Sequence, residues 1–224
     1  MKKINLGFKL KNKFHQKEVI SQLRKAYGIK KIFTWARPLI CPFDKFIFQI
    51  PKNQSIFDVG CGDGLFLYLI AIFRKPRKLF GVDVIDTDLD TVKKIFPNTN
   101  YIKIKDITDW PKDDFNVITV IDVLHHIKPS EQHKFIIEIL NKIKPGGTLL
   151  IKDMSTKPWY CALMNIIHDL VFANQLIRYF PFDELVKIIE KNGFQILETN
   201  SKILLWYSHE WLVAKKMPLN KFNY

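Results

Sequence analysis

From Ser55 onward, short apolar runs rich in β-branched residues alternate with longer stretches whose apolar positions recur every three or four residues. Strands are predicted at Ser55–Val59, Lys78–Asp83, Asn100–Ile104, Phe115–Ile121 and Thr148–Asp153, and helices at Leu65–Phe73, Leu89–Phe96 and Ser130–Ile143. The run Val117-Ile118-Thr119-Val120-Ile121 has almost no polar alternation, as a strand buried on both faces of a parallel sheet requires. Alternating strand and helix predict a doubly wound α/β fold. A helix over Phe182–Lys191, closed by Gly193, and strands at Phe194–Thr199 and Glu210–Ala214 complete it. Between the fifth strand and that helix lies Met154 to Pro181, an aromatic-rich stretch with helical character, expected to form an insertion or lid over one edge of the sheet.

Before Ser55 the pattern is helical. Gln16–Tyr27 and Ile40–Ile50 read as helices, the second with Phe43, Phe46, Ile47 and Ile50 on one face and ended by Pro51. The expected organisation is therefore a helical extension over 1–50 packed on a domain over 51–224, with the insertion at about 154–181.

Charge sharpens that division. Of the formal +13, residues 1–50 carry +10, from twelve basic and two acidic side chains, and the remaining residues only +3. A basic head suits an anionic partner such as nucleic acid, phospholipid headgroups or a phosphorylated substrate; a solvated lysine-rich face is the plainer reading. The composition, 47% hydrophobic and 25% charged, excludes disorder for the whole. The longest apolar run, Leu65 to Phe73, is too short to span a bilayer, and the lysine-broken N-terminus lacks the core of a secretory signal. Cys41, Cys61 and Cys161 are odd in number and widely spaced, so neither a disulfide framework nor a metal site is expected, and a reducing cytoplasm suits them.

Three of the nine glycines fall at Gly60, Gly62 and Gly64, within Ile56-Phe57-Asp58-Val59-Gly60-Cys61-Gly62-Asp63-Gly64, between the first strand and the next helix. Such a turn lets the backbone approach a ligand at the carboxyl end of a parallel sheet, where open sheets bind nucleotide-like molecules. Asp83 ends the second strand, where a carboxylate can accept from both hydroxyls of a ribose. The dehydrogenase pattern Gly-x-Gly-x-x-Gly fails, because Leu65 occupies its last position. The acidic Asp58 suits a cofactor bearing an ammonium group rather than a pyrophosphate.

Asp58-Val59-Gly60-Cys61-Gly62-Asp63-Gly64 resembles the first motif of the class I S-adenosylmethionine-dependent methyltransferases. Gly81-Val82-Asp83, Lys105-Asp106-Ile107, Ile121-Asp122-Val123-Leu124-His125-His126 and Lys144-Pro145-Gly146-Gly147 resemble the later motifs in the family's order, so the likeness covers roughly residues 53–215. It implies a mostly parallel, seven-stranded Rossmann-like sheet, and S-adenosylmethionine as cofactor. By resemblance, Asp58 and the backbone of Gly60, Cys61, Gly62 and Gly64 surround its methionine part, with Asp122 also beside the cofactor. Asp83 takes the ribose, Val84 packs on the adenine face, and Asp106 with the Ile107 N–H meets the adenine edge.

Methyl transfer needs a base only where the acceptor atom carries a proton. Asp122, His125 and His126 at the end of the fourth strand are candidates, although His125 and His126 cannot both face one site; the same histidines can equally serve to open the next helix. In the insertion, Asn165, His168 and Asp169 fall at i, i+3 and i+4, a polar stripe that could grip an acceptor, with His168 a further catalytic candidate, or dock the lid, and Trp159, Tyr160, Phe172 and Tyr179 are expected to form an apolar wall for the substrate. Lys152 and Asp153 either reach the pocket or form a surface ion pair.

The fourth motif lacks the Pro-Pro pair of base-amino methyltransferases and most resembles family members acting on small molecules, including quinone and other lipid-like acceptors. The preferred expectation is methylation of a small, amphipathic or lipid-like acceptor. The basic head, with Phe33, Trp35, Phe43 and Phe46, could rest on an anionic membrane. Two other readings stay open: an RNA or protein methyltransferase with the head as a clamp, and a non-catalytic cofactor-binding module. The acceptor atom and oligomeric state are not readable from the sequence.

Overall fold

The computed structural model describes residues 6–28, 36–87, 89–161, 163–164 and 178–218. Its strands are β1 (Ser55–Val59), β2 (Lys78–Asp83), β3 (Thr99–Lys103), β4 (Phe115–Ile121), β5 (Ile143–Met154), β6 (Phe194–Leu204) and β7 (Tyr207–Lys216). They form one sheet in the order β3-β2-β1-β4-β5-β7-β6. β1 to β5 are parallel, and β7 runs antiparallel to both β5 and β6. The chain winds outward from β1 to β3 and then returns to the other side at β4, so the crevice at the carboxyl ends of β1 and β4 is the place where such a sheet opens for a ligand.

Every residue of β1 is buried, which explains its unbroken apolar sequence: each face of the strand meets its own core. On one face, α1 (Leu6–Tyr27), α2 (Phe43–Ile47) and α3 (Leu65–Arg74) contribute Val19, Leu23, Phe46, Ile47, Leu67 and Ile70 to a cluster with Ile56, Val117, Leu150 and Trp211. On the other, α5 (Pro129–Asn141) and α6 (Phe182–Lys191) bring Phe135, Ile136, Ile139, Leu185 and Ile189 against Phe57, Ile118, Val120 and Leu212. The short α4 (Asp90–Lys93) is carried by Val92 into the first cluster.

The doubly wound, mostly parallel seven-stranded sheet is as expected, and β1, β2, β4 and α6 have the predicted limits. Elsewhere the chain differs. The helix predicted over Ile40–Ile50 is a 3-10 turn at Arg37–Leu39 followed by five-residue α2, because Pro38 and Pro42 remove backbone donors and break the ladder. β5 begins at Ile143, with a register shift against β4 that takes up Lys144 to Gly147. β6 and β7 are much longer than predicted and meet in a tight turn at Leu205–Trp206, with Leu205 left-handed at φ 57°. In the predicted insertion, residues 159–161 and 163–164 are helical, and most of the rest lies outside the described residues.

The N-terminal helices share the sheet's own core: Phe46 is fully buried and meets Trp211 edge-on, with ring centroids 5.4 Å apart. Phe46→Ala is expected to cost about 3–5 kcal/mol, and urea unfolding followed by far-UV circular dichroism and by tryptophan fluorescence should still give one coincident transition. Separate transitions would mean that the extension is an independent unit.

Candidate functional site

The turn after β1 is held by three left-handed glycines, Gly60 (φ 73°), Gly62 (φ 53°) and Gly64 (φ 77°). Two of them are also enclosed: a Cβ on Gly60 would lie 2.3 Å from Val123 Cγ2, and one on Gly64 2.4 Å from Leu89 Cδ2. At Gly62 nothing lies within 4 Å of that position, so the backbone there is open to a ligand. The Gly60 and Cys61 N–H groups donate to Val82 O at 2.9 and 3.0 Å, and Gly62 N–H donates to Asp83 Oδ2 at 2.7 Å. Asp83 Oδ1 accepts from Ile85 N–H at 3.2 Å, so one carboxylate shapes its own loop and the glycine turn together and keeps acceptor capacity on both oxygens.

Around this turn lies a cavity of about 470 Å³ lined by Asp58, Gly60, Cys61, Gly62, Asp83, Val84, Asp122 and His126 among others. Val84 is 62% exposed, and with Ile85 and Ile104 offers an apolar wall beside Asp83. Gly64 supports the turn from behind without lining the cavity. Asp106 and Ile107 are also absent from the lining: Asp106 Oδ1 accepts from Thr108 N–H and Oγ1 at 2.7 and 2.6 Å, capping a 3-10 turn, and Ile107 packs on the core.

Asp58 is buried beneath the turn, where Thr119 Oγ1 donates to its Oδ1 at 2.5 Å. Burial pushes its carboxyl up to about 7; the Thr119 bond opposes this, and the nearby Asp83 charge adds to it.

Asp122 follows β4 with a left-handed φ of 56°, a strained position for a residue with a Cβ. Its N–H donates to Lys152 O at 2.9 Å and its Oδ1 accepts from Lys152 Nζ, while Cys41 Sγ lies 4.0 Å from Oδ2. Burial works against the Asp122 charge, yet Lys152, His125 and His209 hold the carboxyl down at about 2. Lys152 is 0% exposed, which corrects the surface ion pair considered from the sequence; burial opposes its charge, but Asp122 raises its pKa above the usual range. Asp153 instead faces His125, accepting from its backbone N–H at 3.1 Å and pairing with its Nδ1. Burial disfavours a charged His125, but the Asp153 charge and hydrogen bond raise its pKa.

The two adjacent histidines thus separate: His125 is buried on Asp153, and His126, its ring tilted against that of His125 with centroids 4.0 Å apart, is exposed on the cavity wall. Ligand-capable atoms of Asp122, His125 and Asp153 lie within 4.8 Å of one another, but Asp122 is already paired with Lys152 and Asp153 with His125.

Asn165, His168, Asp169 and Phe172, like Phe33 and Trp35 of the basic head, lie outside the described residues. Trp159 and Tyr160 point outward, 73% and 54% exposed, and line no part of the cavity; Tyr179 sits with its ring 6.5 Å from that of His125. Sequence reasoning missed Arg37, Phe66 and Phe135 on the wall and His209 beneath it. For Lys152 a signal existed: it directly follows the apolar Leu149-Leu150-Ile151 of a strand expected to be buried.

A family model described as a methyltransferase domain matches residues 34–199. The ubiquinone biosynthesis O-methyltransferase of Rickettsia typhi is 22% identical over 222 residues, 92% of this chain and 81% of the relative. The carboxy-S-adenosyl-L-methionine synthase of Campylobacter jejuni is 23% identical over 189 residues, 75% of this chain and 79% of that protein. Among solved structures, magnesium protoporphyrin IX methyltransferase from Synechocystis PCC 6803 with bound SAH superposes with a TM-score of 0.64 at 14% identity, covering 93% of this chain and 99% of its own.

A carboxyl held at about 7 in the folded state, against an ordinary value of 3.8, binds its proton more tightly folded than unfolded. Its contribution to stability is therefore present below about pH 4 and declines as the pH rises toward 7. Asp58→Asn should remove this decline, so that the stability difference between variant and parent, measured by urea unfolding, shifts in the variant's favour by a few kcal/mol from pH 4 to 8. A difference that does not change with pH would show that Asp58 is ionised throughout.

Proposed function

The chain belongs to the methyltransferase-domain family and is an S-adenosylmethionine-dependent methyltransferase of small molecules, and from that premise we propose that it methylates a hydroxyl of an amphipathic or lipid-like acceptor. The observation that carries the reading is the cavity itself, where an open glycine turn, the acidic residues Asp58, Asp63, Asp83 and Asp122 and an apolar wall meet His126. These residues fit the cofactor: the Gly62 backbone and Asp58 suit the methionine part, Asp83 the ribose hydroxyls, and Val84, Ile85 and Ile104 the adenine faces. Asp106 and Ile107, off the wall of this cavity, are proposed to meet only the outer adenine edge. When bound, the cofactor supplies a methyl group made electrophilic by its sulfonium.

The chain's own work is then to hold the acceptor, exclude water and take a proton. We assign the proton to His126, the histidine on the cavity wall. His125 is a poor base because Asp153 favours its protonated form, and Asp122 is a poor one because its carboxyl lies at about 2. Asp122 serves better as a fixed negative charge facing a cationic ligand. Asn165, His168 and Asp169 remain proposed acceptor contacts.

A lipid-like acceptor is supported by the relatives named for ubiquinone biosynthesis and by the surface beside β7. Trp159, Tyr160, Leu163 and Met164 are exposed after β5, and Ile203, Leu205 and Trp206 at the β6–β7 turn. Ser155 N–H donates to Ser208 O at 2.8 Å and Ser208 Oγ to Lys157 O at 2.5 Å, tying the two segments together. Residues 154–164 and 199–209 contain two lysines and no acidic side chain. Aromatic and aliphatic side chains with lysine suit the headgroup region of an anionic bilayer. No described helix is long and apolar enough to cross one.

Two measurements test these readings. With methyl-labelled S-adenosylmethionine and fractionated cell extract, label should enter the organic-soluble fraction. Asp83→Ala should weaken cofactor binding by on the order of 100-fold, whereas His126→Ala should leave it unchanged and slow transfer by about 10²–10⁴-fold; label in nuclease- or protease-sensitive material would refute the acceptor class. In vesicle co-sedimentation, the parent should bind phosphatidylglycerol-containing vesicles over pure phosphatidylcholine, and Trp159→Ser with Trp206→Ser should release it several-fold. Equal binding by parent and variant would exclude this surface as the contact.

A further inference from the structure

The ion pair at Asp122 also borders a second set of polar side chains, which the steps above do not use. Lys152 lies opposite Trp211 in the β5–β7 ladder, and His209, opposite Met154, is its diagonal neighbour on the same face. Diagonal cross-strand positions are about 7–8 Å apart, within reach of long side chains. His209 is 2% exposed, and among the described residues neither ring nitrogen meets a partner at full hydrogen-bond geometry, although the Ile40 backbone lies close enough to one of them to raise its pKa. Burial, and then the Lys152 charge, hold its pKa at about 4, so the ring is neutral at physiological pH. Asp122 and Lys202 complete the charges around it. Of the three Lys152 N–H donors, one is taken by Asp122.

Buried polar nitrogens in folded proteins are almost always paired, so His209 is an anomaly that calls for a partner. The chemistry around it selects that partner. A neutral imidazole has one donor and one acceptor nitrogen, and Lys152 only donates. A hydroxyl accepts from Lys152 while donating to the bare nitrogen of His209. A carbonyl would leave that nitrogen unmatched, and a carboxylate would add a second negative charge beside Asp122, which already balances Lys152.

We propose that His209 and Lys152 form a subsite for a second hydroxyl of the methyl acceptor, distinct from the one that is methylated. Asp122 lines the cavity and binds Lys152 behind it, so the subsite adjoins the cavity through that ion pair, and an acceptor held here would reach past Asp122 from the side of His126. Ile40 and the buried Cys41 close the subsite from the N-terminal side, and they must give way for the hydroxyl to enter. The inference rests on the reading of the cavity as the site of cofactor and acceptor.

The test is binding of phenol, catechol and resorcinol to protein saturated with S-adenosylhomocysteine, by calorimetry or by ligand-observed NMR. The parent should bind at least one of the two diols about tenfold or more tighter than phenol. His209→Leu should erase that preference while leaving S-adenosylhomocysteine affinity unchanged. Absence of a diol preference in the parent, or its persistence in the leucine variant, would each overturn the subsite. Failure of the parent to bind S-adenosylhomocysteine would overturn the cavity reading as well, and so separates the two.

Discussion

A fully buried ammonium must be matched by a carboxylate, and in this fold the match between Lys152 and Asp122 organises the ground around the cavity. Leaving either charge alone in that interior would cost on the order of several kcal/mol. The pairing sits at the ends of two adjacent parallel strands, and Asp122 holds a backbone conformation that a residue with a side chain seldom adopts. The turn that follows carries His125 inward to Asp153 and leaves His126 on the wall. Cys41 meets the same carboxylate from the N-terminal side, where burial pushes its thiol up to about 12, so the thiol is inert padding and not a nucleophile.

On the opposite wall the same problem is solved by protonation. Among the described residues no cation pairs with Asp58, only a hydroxyl donor and another carboxylate, and its raised pKa lets a proton relieve the charge that the interior would penalise. A cationic ligand group arriving above the glycine turn changes that balance, because an opposite charge favours the ionised form. Asp122 is thus held in its charged form, while the charge of Asp58 depends on what is bound.

Much of this was legible because local sequence and burial agree. β1, β2 and β4 are apolar through their length since both faces of the sheet are covered, and the glycines of the turn announce a conformation that other residues resist. The hidden parts depend on partners remote in sequence. Nothing near Lys152 states that Asp122, thirty positions away, will balance it. The aromatic character of Trp159 and Tyr160 suggested a pocket wall, yet composition does not say which way a ring faces, and both face out. Pro38 and Pro42 break the helix before β1, whereas the regular spacing of Phe43, Phe46 and Ile47 taken alone reads as one continuous helix.

The reversed strand β7 adds an arithmetic limit on how the chain can change. His209 and Trp211 reach the N-terminal face only because an odd step along the strand always lands on the opposite side of the sheet. Deleting a single residue between the β6–β7 turn and His209 would exchange them with Ser208 and Glu210, while removing two would preserve the faces. The β6 partner has one such odd residue already: Leu197 is skipped in the pairing between Ile196 and Glu198 and stands exposed in a bulge. Length variation in this hairpin is thus tolerable in pairs, or singly in β6 where a bulge absorbs it, and a frame of two governs which chemistry the last strand can offer.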